Sequence, residues 1–68
     1  MVNINLIYNN ISIQTTINSF SSLPKEGEEI KIFYKGFGEK TSFRVKKVEK
    51  QFVIIKPTVD LYYNIYLE

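Results

Sequence analysis

The side chains able to do chemistry in these 68 residues are few, and two types are missing outright. With no His and no Cys there is no imidazole base, no thiolate and no ordinary zinc site. Seven acidic residues remain, and Asp60 is the sole Asp. Glu26, Glu28 and Glu29 crowd one turn and carry oxygens for a hard cation, but the ligand spacing of a calcium loop is absent. They read more simply as a solvated acidic turn leading into a strand. Asp60 reads as a residue that shapes its own turn. Gly36-Phe37-Gly38 is too short to cradle a phosphate, and no helical pattern follows it to present backbone amides. These residues predict a protein that is not an enzyme. They offer no catalytic residue, no cofactor, no metal and no small-molecule substrate.

Two other constellations concern binding. Lys35, Phe37, Lys40, Arg44, Lys46 and Lys47 bring an aromatic ring together with five cations. Rings that stack on bases beside cations that meet phosphates are how small barrels hold single-stranded nucleic acid. A charged edge that deters sheet-to-sheet pairing fits the same lysines and weighs more, since Glu39 and Glu49 dilute the patch. The other constellation is Tyr62, Asn64 and Tyr66, alternate positions near the C-terminus. Tyr joins a large apolar body to a polar tip and is enriched at protein interfaces. The same rings would also serve as the second side of a two-sided core, and the sequence leaves both open.

Composition limits the elements that position these residues. A chain this short buries about 60% of the surface its unfolded form exposes. Its core contributes only about 3–5 kcal/mol, which favours sheet closure or self-association. The formal charge of +2 is mild and allows nucleic-acid contact without demanding it. Eight of the nine cations are Lys, which disfavours the forked base contacts that Arg makes. No run approaches the ~18 apolar residues of a membrane helix, and Met1–Leu6 lacks the features of a signal peptide. A cytoplasmic protein without membrane contact is expected. Ile, Lys, Asn and Tyr supply 29 of the 68 residues, a bias of AT-rich genomes that suggests a low-GC bacterium or its phage.

One domain spans 1–68. Val2, Ile4, Leu6 and Tyr8 alternate with Asn3, Asn5 and Ile7, and Ile11, Ile13, Thr15 and Ile17 resume the pattern after Asn9-Asn10. Asn tolerates positive φ, so a first hairpin is predicted. Asn18–Ser22 forms a loop with one helical turn at most, and Phe20 and Leu23 plug one end of the core. A third strand starts near Ile30. Gly36–Lys40 is a hairpin loop with Phe37 at its tip. Thr41, Phe43 and Val45 point inward on a fourth strand, whose alternation slips at Lys46-Lys47, as at a β-bulge. Glu49-Lys50-Gln51 reads as a turn. Phe52–Ile55 reads as a fifth strand covered on both faces, ended by Pro57. After a link at 58–60, Leu61, Tyr63, Ile65 and Leu67 point inward on a sixth.

Six short strands predict an all-β fold, a partly open small barrel or a strongly bent antiparallel sheet. Leu23-Pro24-x-x-Gly27-Glu28-x-Ile30, followed by Phe43-x-Val45-x-x-Val48, resembles the leading turn and bent strand of SH3-like small barrels of bacterial and phage proteins. The resemblance covers about residues 23–55 and implies a fold, with no catalytic residue attached. The function expected is a binding module for a partner protein, with single-stranded nucleic acid as the alternative ligand. The first and last strands lack Pro and carry few charges, so as edges they would also invite a homodimer.

Overall fold

The computed structural model describes residues 2–68, with the side chain of Phe20 left aside. Five strands form one sheet, β1 (Val2–Tyr8), β2 (Ile11–Ile17), β3 (Glu29–Lys31), β4 (Ser42–Ile55) and β5 (Thr58–Leu67), in the order β2-β1-β5-β4-β3. The sheet curls into an open half-barrel. Among the described residues there is no α-helix, and none long and apolar enough to cross a membrane. Single 3-10 turns stand at Phe20–Ser22 and Lys35–Phe37.

Local chemistry accounts for the turns. Asn9 and Asn10 take φ of 51° and 68°, the left-handed pair that a two-residue hairpin needs, and Tyr8 pairs directly with Ile11. At Lys25–Glu28 the Glu28 amide donates to the Lys25 carbonyl at 3.0 Å, with Gly27 at φ 88° where a side chain would be strained. This turn is fastened to β4: the Gly27 amide donates to the Val45 carbonyl at 2.7 Å, and the Val45 amide to Glu28 at 2.9 Å. The β4–β5 ladder shifts register between Val45 and Lys47, where Lys46 has no partner. That bulge carries the inward set from Phe43 and Val45 on to Val48, opposite Ile65.

The inward alternation of β1, β4 and β5 builds the core. Val2, Ile4, Leu6, Phe43, Val45, Tyr63, Ile65 and Leu67 are buried together, and Leu23, Ile30 and Ile32 pack against them. Leu23 thus plugs the core as expected, whereas Phe20 lies outside the described side chains. Phe37 completes the cluster, its ring edge-on to Tyr8, Tyr34 and Phe43 at centroid distances of 5.0–5.7 Å. Burying side chains of this size contributes about 1.5–3 kcal/mol each.

Three expectations are corrected. Five strands form, not six, because Glu49-Lys50-Gln51 continues β4 and pairs with Asn64, Tyr63 and Tyr62. Its three polar residues resemble a turn but lie in a ladder. Residues 58–60 likewise belong to β5. Next, Gly36–Lys40 does lie in the loop that joins the antiparallel β3 and β4, but Phe37 is not at an exposed tip: the 3-10 turn Lys35–Phe37 folds it inward. Finally, the first and last strands are not edges. They pair in parallel at the centre of the sheet, from Asn3↔Tyr62 to Ile7↔Tyr66, and the edges are β2 and β3.

Candidate interaction surfaces

The outward face of β5 presents Tyr62, Asn64 and Tyr66, as the alternation requires. Asn64 lies between Asn5 of β1 and Glu49 of β4, and it is 8% exposed. The Asn5 Nδ2 donates to Asn64 Oδ1 at 2.7 Å, and Asn64 Nδ2 donates to Gln51 Oε1 at 3.1 Å and Glu49 Oε1 at 3.3 Å. The Tyr66 hydroxyl donates to Glu49 Oε1 at 2.6 Å, and Lys47 Nζ stands 3.3 Å from Glu49 Oε2. The hydrogen bond from Tyr66, then those from Asn64 and Lys47, hold the Glu49 carboxyl below its ordinary value. The same bond to Glu49 raises the Tyr66 hydroxyl above its ordinary value.

This face is therefore neither a second apolar core nor a bare aromatic patch. It is a closed polar network in which Asn64 acts as a strut. Tyr62 stays half-buried beside a shallow hollow of about 250 Å³ that Asn5, Gln14, Gln51 and Val53 also line.

The basic constellation is scattered by the fold. Phe37 is 6% exposed and cannot meet a base. Lys40 Nζ rests 5.3 Å from the Tyr8 ring and 5.4 Å from the Phe43 ring. Arg44 reaches Glu29 at 3.7 Å, with both side chains exposed, an ion pair worth at most about 1 kcal/mol. Lys47 is held by Glu49. The Lys35 and Lys46 side chains are exposed and make no ion pair or hydrogen bond among the described residues. The most exposed ring of this region is Phe33, at 80%, with Tyr34 beside it at 40%.

Four of the exposed large apolar side chains lie elsewhere. The β1–β5 ladder starts at Tyr62 and the β3–β4 ladder ends at Arg44. Residues 52–55 and 58–61 consequently pair only with each other, as a two-stranded ribbon beyond the barrel. The Lys56–Pro57 bond in its turn is cis, and Thr58 Oγ1 donates to the Ile55 carbonyl at 2.8 Å. Phe52, Ile54, Ile55 and Val59 are 60–68% exposed, and all of them sit on this ribbon. By register, Phe52 (opposite Leu61), Ile54 and Val59 share the face that the core occupies farther along the sheet. The run was legible as apolar on both faces; what failed was the assumption that both faces are covered.

No protein-family model matches the chain, and neither a curated protein nor a solved structure is similar enough to count as a match.

Proposed function

We propose that this chain is a non-catalytic protein-interaction module whose contact element is the β4–β5 ribbon. The observation that carries this reading is the concentration of Phe52, Ile54, Ile55 and Val59, each at least 60% exposed, on one protruding hairpin. Apolar patches of this kind on small proteins mark interaction sites, because leaving them in water forgoes their burial energy. An isolated two-stranded ribbon is at best marginally stable, so its side chains gain most by docking on a partner. Lys50 shares the face of Phe52, and Lys56 lies in the turn. The partner that fits is a protein with an apolar cleft and an acidic rim. The absence of His and Cys supports the non-catalytic half of the reading. The fastened turn at Gly27 and the bend in β4 support a kinship of scaffold with SH3-like barrels, which we hold as a proposal about ancestry alone.

Placing a photo-crosslinking residue at Phe52, and separately at Phe33, tests the reading in the native host. A discrete protein adduct from position 52, lost when Ile54→Ser and Val59→Ser are added, is expected. Absence of any adduct from 52, adducts formed only with lipid, or adducts with nucleic acid from position 33 alone would each overturn it.

A further inference from the structure

β2 forms one edge of the sheet, and no strand lies beyond it among the described residues. Its seven residues, Ile11–Ile17, contain no charge, no Pro and no bulge, and five of them are exposed. The opposite edge is defended differently. There β3 offers Glu29 and Lys31, and the flank of β4 past β3 carries Lys46, Lys47, Glu49 and Lys50. Charged side chains and bulges are the usual guards of an edge, and an edge without them is a template for another strand.

The pattern of β2 says which strand. Read outward from Gln14, the strand is close to its own reverse. In an antiparallel pairing with a two-fold axis at Gln14, Ile11 stands opposite Ile17 of the second copy, Ser12 opposite Thr16, and Ile13 opposite Thr15. Each pair is like with like in size, and the faces agree: Ile11, Ile13, Thr15 and Ile17 stay on the core side, Ser12, Gln14 and Thr16 on the outer side. Such Ile–Ile and Ser–Thr neighbours each contribute roughly 0.2–1 kcal/mol across strands. An isologous interface requires this self-complementarity, and a foreign strand would not.

We infer that β2 is a self-pairing edge, through which two copies of this chain join into one continuous ten-stranded sheet. The axis would stand perpendicular to the sheet. Because the ribbon extends from the Ile17 end of β2, the two ribbons would then point in opposite directions. The dimer would present two separate contact elements, and it stands or falls independently of what they bind.

Sedimentation of the purified chain from low to high micromolar concentration, together with single-site variants, tests this. The wild type is expected to dimerise in that range. Gln14→Lys and Gln14→Glu each set like charges opposite one another at the axis, so each alone should weaken the dimer about fivefold or more. An equimolar mixture of the two should recover it, which misfolded variants could not do. A wild type that stays monomeric throughout overturns the inference. So does a dimer indifferent to both variants, or one abolished instead by Phe52→Thr/Ile54→Thr, which would place the contact on the ribbon.

Discussion

At the scale of single residues, Glu49 and Tyr66 are the pair whose chemistry depends most clearly on pH. The 2.6 Å bond between them needs a protonated hydroxyl and is strengthened when the carboxyl is ionised. Glu49 titrates below its ordinary 4.5 in the folded chain, so its contribution to stability is complete above 4.5 and is lost as pH falls through the lowered value. Tyr66 titrates above its ordinary 10.0, so its contribution is complete below 10.0 and is lost as pH rises through the raised value. The difference in urea midpoint between wild type and Tyr66→Phe should stay constant between 4.5 and 10.0 and shrink beyond either limit. Parallel profiles through both limits would contradict the bond. A second contrast separates Phe37 from its basic neighbours. Phe37→Ala removes a core ring and should cost about 3–5 kcal/mol, enough to unfold much of the population. Lys46→Glu, on an exposed bulge, should change stability by no more than about 0.5 kcal/mol. Equilibrium denaturation measures both.

At the scale of elements, what was legible in the sequence was local. Asn9-Asn10 announced a hairpin because few residues accept positive φ twice in succession. Lys46-Lys47 announced a bulge because the alternation broke there and resumed at Val48. The failures were long-range. Nothing local says that β1 and β5, some sixty residues apart, pair in parallel, since their apolar alternation would suit an edge or a centre equally well. Glu49 and Gln51 resembled a turn because their polarity serves a partner on another strand, Asn64. Of the candidate sites, the Tyr62–Tyr66 face was found but not its network, and Phe37 was misplaced because a glycine-flanked ring is equally compatible with a loop tip and a core plug. Gly27 gives a test at this scale. An added Cβ would meet nothing within 4 Å, so Gly27→Ala isolates backbone strain at φ 88°. It should cost about 1–2 kcal/mol by chemical denaturation, whereas a turn free to adopt another conformation would show almost no loss.

At the scale of the whole molecule, the dominant fact is its shape. The chain measures 41 × 23 × 19 Å with a radius of gyration of 12.5 Å. A compact chain of this length would have about 11 Å. The excess is in keeping with a ribbon that projects past a thin core and takes four large apolar side chains away from it. A domain with only about 3–5 kcal/mol of core stabilisation has little reason, on folding grounds, to leave such residues outside. Their exposure is what the proposed contact would use. This separates two parts of β4, one where Phe43 and Val45 are buried in the barrel and one where Phe52 and Ile54 are exposed on the ribbon, the part that the proposed function assigns to a partner. Urea unfolding of the triple variant Phe52→Thr/Ile54→Thr/Val59→Thr tests that division most directly, since it needs no knowledge of the partner. With the ribbon exposed, stability should stay within about 1 kcal/mol of wild type, because surface replacements away from packed features shift it little. A loss of about 4.5 kcal/mol or more, the sum expected if these three side chains were buried at roughly 1.5–3 kcal/mol each, would mean that the ribbon belongs to the core and would contradict its role as an exposed element.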